Sequence, residues 1–267
     1  MILGVLLAVG CRQGLVSDVT EVPKSVIEDY DALLAEVVTP DGYVDYDALE
    51  ADRGALDAYV AHIGQPGSWP GKIGKDWHGR YLNVYNALTL FQVLERGRPD
   101  SVLDVSSLWV PRAGAGFFFT TAFRVKGEWL SLSEIEHERV RQLELDLRDH
   151  AALNCASMSC PPLRAELYEP RGKRLRRQLD DQMRRWMQDP ARGVRFDGDE
   201  VVFNPIFDWF ANDFDFFSAG RDPCAIAAEY SDGEPKRRLE ELSANGCPRR
   251  YFDYDWSLND AARRSAE

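Results

Sequence analysis

The chain has 267 residues, of which 45% are hydrophobic and 28% are charged, with 7 Trp, 10 Tyr and 13 Phe. This composition excludes a disordered chain and supplies enough apolar material for one large domain or two small ones. Acidic residues outnumber basic ones by 44 to 32, and because the resulting net charge of -12 repels phosphate backbones, we expect no nucleic-acid partner.

The N-terminus has the pattern of a bacterial lipoprotein signal. Residues 1–10 are uncharged and mostly apolar, and Cys11 follows directly. We therefore predict a signal segment over 1–10, a lipid on Cys11 that attaches the protein to a membrane, and a tether over 11–27. The predicted location is the cell envelope, either periplasmic or anchored in the outer membrane. The alternative is a buried first strand or helix, since the basic residues that normally begin a signal are missing before Arg12.

The apolar spacing along the rest of the chain predicts helices separated by short strands. The predicted helices cover residues 26–37, 49–63, 76–95, 131–142, 171–188, 205–217, 223–230 and 234–244. The predicted strands are two within 117–130 around Lys126-Gly127, one over 147–155, and a hairpin over 194–203. Helices early and late with strands between are typical of an α+β fold, here a single domain with helices packed on a small, mostly antiparallel sheet.

Four cysteines follow Cys11, at positions 155, 160, 224 and 247. Cys224 opens one predicted helix and Cys247 follows the next. Because a helical hairpin brings two such ends together, we predict a disulfide between these two residues. The alternative is a pair of independent packed thiols.

Two polar motifs fall on predicted helices. Asn83 lies on an apolar helical stripe and Asn86 lies beside it. Buried amides must be hydrogen-bonded, so these two either tie down neighbouring backbone or line a cleft and orient a catalytic group. The second motif is Ser131-Leu-Ser-Glu-Ile-Glu-His137, in which two overlapping capping boxes predict a helix start and place His137 in its first turns.

Five stretches follow one another along the chain: Gly42-Tyr-Val-Asp-Tyr46, Tyr81-Leu-Asn-Val-Tyr-Asn-Ala-Leu-Thr-Leu90, Ser131 to His137, His150-Ala-Ala-Leu-Asn-Cys155-Ala-Ser-Met-Ser-Cys160-Pro-Pro-Leu163 and Tyr254-Asp-Trp-Ser-Leu-Asn259. In this order they resemble the family called domain of unknown function 547 (DUF547). The resemblance implies one domain over about residues 28–260, followed by a polar tail over 261–267. Tyr81 stands where the family usually has tryptophan. The family has no established reaction, so the resemblance implies none.

The cysteine and histidine content of the third and fourth stretches is the sharpest chemical signal. A thiolate is a strong nucleophile, and a nearby histidine keeps it ionised. A strand over 150–155 would place His150 and Cys155 on opposite faces, which makes His137 the better base. We therefore predict a thiol-dependent hydrolase or acyl-transfer enzyme, loosely papain-like or transglutaminase-like, that acts on an amide or thioester bond of a small molecule or peptide. The predicted catalytic residues are Cys155, His137, Asn83 and Glu136, and the predicted binding residues are Tyr85, Asn86, His150 and Cys160.

Other interpretations of the same residues remain open. Cys155 and Cys160 could form a structural or redox-active disulfide, or could bind zinc together with His137 and His150. In either case the protein is a non-catalytic binding or scaffold domain. The cysteines could also be inert packed thiols. Apart from the zinc alternative, we predict no metal and no cofactor.

Overall fold

A computed structural model describes residues 12–69, 74, 77–144 and 146–264. The predicted signal segment and the lipid-bearing Cys11 lie outside the described residues. The first half of the chain is mainly helical. Its helices are α1 (Val26–Val37), α2 (Tyr46–Ala51), α3 (Gly54–Gly64) and α4 (His78–Glu95).

The predicted helix over 49–63 is therefore two helices. Asp45 begins α2 by accepting a hydrogen bond from the backbone N–H of Ala48, as N-cap residues do. Helix α4 is the central element of this half, and from His78 to Leu94 all but one of its residues are buried. A helix that is buried all round must have its polar side chains hydrogen-bonded inside the protein.

The middle of the chain forms a small sheet and an irregular helix. A π-helical segment (Gly116–Thr120) precedes β2 (Thr121–Val125) and β3 (Glu128–Leu130), which are the two predicted short strands around Lys126-Gly127. Helix α5 (Leu132–Glu134) then continues as a π-helical segment (Ile135–Val140) and as α6 (Arg141–Leu143). We call these three pieces the α5–α6 helix. π-helical turns are rare and are frequent at functional sites.

The predicted strand over 147–155 is wrong at its start. Residues Asp149–Ala152 form a short helix, α7, and the chain becomes extended only from Leu153. Four residues are too few to show a helical period in the sequence. The turn is stabilised by tertiary bonds, because Asp149 and His150 are both buried and each bonds a distant side chain. His150 and Cys155 are consequently not held on opposite faces of one strand.

The last part of the chain is helical around a second small sheet. Its helices are α8 (Gly172–Met187), α9 (Ile206–Trp209), α10 (Ala211–Phe217), α11 (Pro223–Glu229), α12 (Gly233–Ala244) and α13 (Ala261–Arg264). The predicted helix over 205–217 is interrupted at Phe210. The predicted disulfide between Cys224 and Cys247 is present and joins the start of α11 to the segment after α12. None of the described helices is long and apolar enough to cross a membrane.

The two sheets have three strands each and are mixed. In the first, β1 (Gln13–Leu15) pairs parallel with β2, and β2 pairs antiparallel with β3. In the second, β4 (Val194–Asp197) and β5 (Glu200–Phe203) form the predicted hairpin, and β6 (Arg249–Tyr251) pairs parallel with β5. The α+β prediction is confirmed, but one mostly antiparallel sheet is replaced by two mixed ones.

Two hydrophobic clusters hold these elements together. The larger surrounds α4 and includes side chains from α1 to α3 and the first sheet. The smaller surrounds Trp186 of α8 and includes the second sheet and the C-terminal helices. Residues 153–163 follow α7 without helical structure and contain Cys155 and Cys160, the two free cysteines in the described part of the chain; we call this segment the cysteine loop.

Candidate functional site

A cleft of about 690 Å³ lies among α4, the α5–α6 helix and the cysteine loop. Six of the residues predicted for the site line this cleft: Tyr85, Glu136, His137, His150, Cys155 and Cys160. Much of its remaining wall is aromatic, from Phe118, Phe119, Trp209, Phe210, Tyr254 and Trp256. Asn83 and Asn86 are not among the described residues that line it.

The cysteine loop is anchored by buried amides. Asn86 Nδ2 donates to the carbonyl oxygen of Ala152 at 2.9 Å, and Asn86 Oδ1 accepts from the backbone N–H of Asn154 at the same distance. The Asn154 side chain then bridges the loop by donating to the Pro161 carbonyl oxygen and accepting from the Ala156 N–H. These bonds fix the backbone on both sides of Cys155.

The residue after Cys155 has an unusual backbone conformation. Ala156 has φ of +61°, in the left-handed region that residues with a side chain rarely adopt. Its N–H is the one held by Asn154 Oδ1, and the residue is fully buried. Such strain persists only where surrounding contacts hold it, and it is frequent at functional sites.

Cys155 is partly exposed in the cleft and is surrounded by hydrogen-bonding groups. Its Sγ lies 3.0 Å from Ser157 Oγ and 3.4 Å from Tyr254 Oη, and its N–H donates to Cys160 Sγ at 2.9 Å. Hydrogen bonding to Cys160, and then to Ser157 and Tyr254, outweighs the effect of burial and lowers the pKa of Cys155 to about 7. Burial raises the pKa of Cys160, so of the two thiols Cys155 is the one that ionises.

Glu136 lies on the π-helical turn of the α5–α6 helix and lines the same cleft. Burial is the main reason that the pKa of Glu136 is raised to about 7, and the charge of Cys155 raises it further. Arg141 and a hydrogen bond with Tyr85 act in the opposite direction. Near neutral pH, Glu136 is therefore a carboxyl group that can give or take a proton.

The basic nitrogen of His137 is occupied. Arg141 Nη1 lies 2.8 Å from His137 Nδ1, and because a guanidinium can only donate, Nδ1 is the acceptor. The proton of the neutral ring is then on Nε2. Burial and Arg141 together lower the pKa of His137, although the residue is exposed to solvent. In this arrangement the neutral side chain predicted as the base has its acceptor nitrogen occupied by Arg141, so it has no acceptor left for the Cys155 proton.

His150 uses its protonated nitrogen for its hydrogen bond, which leaves the other nitrogen as a free acceptor. Its Nε2 lies 3.0 Å from Asp213 Oδ2, and the ring packs between Phe210 and Phe214 with ring centroids 4.4 and 5.3 Å away. Despite the effect of burial, hydrogen bonding to His150 and Arg141 lowers the pKa of Asp213, which is therefore a carboxylate and an acceptor. Nε2 must then carry the proton, and Nδ1 keeps its lone pair. Burial lowers the pKa of His150, so the ring is neutral at neutral pH.

Comparison with known proteins identifies the region that carries these side chains. The model of a family described as "Protein of unknown function, DUF547" matches residues 80–187. The chain carries a DUF547 region. The predicted resemblance is confirmed over these residues, which include Tyr85, Glu136, His137, His150 and both cysteines of the loop. No curated protein and no solved structure matches the chain significantly.

One residue of the DUF547 region was predicted to be catalytic and does not reach the cleft. Asn83 Nδ2 donates to the carbonyl oxygen of Tyr168, and Asn83 Oδ1 accepts from the N–H of the same residue, both at 2.8 Å. The amide therefore ties backbone to α4, which agrees with the first of its two predicted roles and not with a catalytic one. Asn86 has the same kind of role, although the backbone it holds leads directly to Cys155.

Three side chains close to Cys155 or His150 are absent from the predicted set. Ser157 lies within the motif around Cys155, and Tyr254 lies within the C-terminal motif, outside the matched DUF547 region. Both motifs were recognised in the sequence, but nothing in the sequence marked these hydroxyls as partners of the thiol. Asp213 had no motif, and only the folded chain brings it to His150.

The structure contains one group of potential metal ligands in the part of the chain that it describes. Asp222 lies beside Cys224 and Cys247, with ligand atoms within 4.8 Å of one another. The two sulfur atoms are joined in the disulfide, which removes them as thiolate ligands. Zinc binding by the cysteine loop and the two histidines stays a prediction.

Proposed function

We propose that the protein is a thiol-dependent hydrolase or acyl-transfer enzyme acting on amide or thioester bonds, with Cys155 as the nucleophile. The observation that carries this proposal is the hydrogen bonding of Cys155, which lowers its pKa to about 7 while it stays partly exposed in a cleft of about 690 Å³. A thiol with this pKa is partly thiolate at neutral pH, which is the reactive form.

In the proposed reaction, Cys155 Sγ attacks the carbonyl carbon of the substrate and forms a C–S bond. His150 Nδ1 takes the thiol proton and passes it to the leaving nitrogen or sulfur as its bond to carbon breaks. Water then attacks the thioester, with its proton taken by His150, and releases the acid and the thiol. In acyl transfer, an amine or alcohol replaces the water.

The choice of His150 as base rests on its hydrogen bond to Asp213. A carboxylate on one imidazole nitrogen fixes the tautomer, orients the ring and stabilises the imidazolium that forms. His137 has an arginine on its acceptor nitrogen instead, which opposes protonation. We propose that Glu136, hydrogen-bonded with Tyr85, supplies a second proton-transfer group near the thiol.

The first experiment measures the alkylation of each cysteine by iodoacetamide as a function of pH, with the sites read by peptide mass spectrometry. We expect Cys155 to react far faster than Cys160, with a midpoint at about 7, whereas an ordinary thiol has its midpoint at about 8.5. The fast phase should be lost in Cys155→Ser. Slow labelling with an ordinary midpoint would refute the proposed nucleophile.

Turnover is tested next with panels of chromogenic amides and thioesters. His150→Gln should lose about 10²-fold or more in kcat, the usual contribution of a general base. The loss in His137→Gln should be much smaller. A larger loss for His137→Gln than for His150→Gln would restore His137 as the base.

The competing function is a non-catalytic binding domain in which Cys155 and Cys160 form a disulfide or zinc clamp. That protein would lose thermal stability on reduction or chelation, even with Cys224 and Cys247 replaced by serine. It would also lack the fast labelling of Cys155.

We also propose that the protein is a lipoprotein of the bacterial cell envelope. The sequence over 1–11 supports this location, and so does the disulfide, because disulfides persist mainly in oxidising compartments. Mass spectrometry of the native N-terminus tests it. We expect an acylated Cys11, and an intact Met1 would contradict the proposal.

A further inference from the structure

The outer part of the cleft combines aromatic rings with one cation. Trp209 and Trp256 stack with ring centroids 5.6 Å apart, and Tyr254 packs against both. Trp209 remains 48% exposed and Phe119 37% exposed, and both line the cleft. These surfaces are available to the apolar part of a ligand that reaches Cys155.

Arg112 is the single Lys or Arg among the described residues that line this cleft. Its guanidinium lies 5.3 Å from the ring centroid of Phe119, and the side chain is exposed. Within the described ranges, no carboxylate lies at ion-pair distance from Arg112. By contrast, Arg148 and Arg164 each bind two carboxylates.

Arg112 differs from the other described arginines without an acidic partner in that it lines the cleft that holds Cys155. The positive charge of Arg112 does not serve the thiol, because hydrogen bonds with Cys160, Ser157 and Tyr254 are the main causes of its ionisation. Stacking on Phe119 restricts the side chain and leaves the edge of the guanidinium, with its paired N–H donors, available for a planar anion.

We propose that the substrate is an apolar acyl compound or short peptide that also carries a carboxylate, and that Arg112 binds this carboxylate at the mouth of the cleft. The apolar part of the substrate then packs on the aromatic wall between Arg112 and Cys155. This inference deepens the proposed function and rests on Cys155 being the nucleophile.

The test uses iodoacetamides whose nitrogen carries a straight alkyl chain ending in a carboxylate or in the matching carboxamide. In each reaction the thiolate displaces iodide, so the chemistry at sulfur is the same and only the distant charge differs. We expect one range of chain lengths at which the carboxylate probe alkylates Cys155 about tenfold faster than its carboxamide partner, the effect of one charge-assisted hydrogen bond.

Arg112→Gln should bring this ratio close to one; because both probes react with the same thiol, any change in the reactivity of Cys155 itself cancels in the ratio. Arg112→Lys should keep part of the preference, because it keeps the charge and loses the paired geometry. Arg124→Gln is the matched control, since Arg124 is also exposed and packs on an aromatic ring, Trp129, but does not line the cleft. Salt should reduce the preference.

The two proposals can fail separately. Fast labelling by unsubstituted iodoacetamide together with equal rates for both probe series at every length would overturn the role of Arg112 and leave the nucleophile standing. A carboxylate preference that persists in Arg112→Gln would also overturn it. Slow labelling by unsubstituted iodoacetamide would instead refute the thiol enzyme itself.

Discussion

Removal of the Ser157 hydroxyl should raise the pKa of Cys155. Ser157 is fully buried, and its Oγ lies 3.0 Å from Cys155 Sγ and 3.0 Å from Tyr254 Oη. A thiolate can only accept hydrogen bonds, so once Cys155 is ionised the single Ser157 proton, which otherwise points to Tyr254 Oη, turns to Sγ and stabilises the charged form. Ser157→Ala deletes this donor and leaves the ring of Tyr254 in place.

The size of the effect follows from the strength of one hydrogen bond to a charged group, about 1.5 kcal/mol at the low end of the usual range. That energy corresponds to a decrease of about tenfold in the acid dissociation constant of Cys155, so its pKa should rise from about 7 to about 8. At about pH 7 the thiolate fraction falls from about one half to about one tenth. The rate of alkylation should therefore fall about fivefold at this pH.

The assay is the rate of iodoacetamide labelling of Cys155 across the pH range. At about pH 10 the thiol is ionised in both proteins, and the two rates should converge. Ser231→Ala is the control, because Ser231 is also buried and its hydroxyl donates to the carbonyl oxygen of Ala227, away from the cleft. An unchanged midpoint in Ser157→Ala, or a rate that stays low at high pH, would refute the reasoning.

Three further predictions concern stability. Glu136→Gln should raise the free energy of unfolding by up to about 3 kcal/mol above about pH 7 and leave it unchanged below about pH 4. The reason is that a carboxyl group with a raised pKa destabilises the fold only as it ionises, and thermal denaturation as a function of pH measures the effect. Asn86→Ala should cost about 2–4 kcal/mol in denaturant unfolding, since two buried backbone groups lose their partner, whereas the exposed Asn245→Ala should cost under about 0.5 kcal/mol. Replacement of Cys224 and Cys247 by serine should cost about 3 kcal/mol in the same assay, and an unchanged midpoint would show that the disulfide does not stabilise the fold.

Long amphipathic elements were predictable because their periodicity is local. The spacing of apolar residues located α8, α11 and α12 to within one or two residues, and the turn signal located the β4–β5 hairpin. The short helix α7 was not predicted, because its conformation depends on tertiary bonds made by Asp149 and His150, and the break at Phe210 was not predicted either. The pairing of β1 with β2 joins residues more than a hundred positions apart, and no local pattern encodes it.

In the candidate site, too, the local sequence signals were predictable and the long-range contacts were not. Residue chemistry drew attention to Cys155 and to the two histidines, which are close to it in sequence. The partners that give these groups their properties come from far along the chain: Tyr254 is 99 positions from Cys155, and Asp213 is 63 from His150. The wrong prediction of a strand at α7 also affected the choice of base, because on a strand His150 and Cys155 would lie on opposite faces. The choice of His137 as the base therefore rested partly on a wrong local element, and it stays a prediction that the comparison of His137→Gln with His150→Gln tests.

The charges of the cleft explain why an anionic substrate is compatible with a thiolate nucleophile. Hydrogen bonds lower the pKa of Cys155 and burial raises that of Glu136, and both values are about 7. Because the ionisation of one opposes that of the other, near neutral pH the pair tends to hold one negative charge instead of two. A carboxylate bound by Arg112 would be neutralised at the mouth of the cleft, away from this pair. The substrate can then carry its own negative charge into the site without returning the thiol to its unreactive, protonated form.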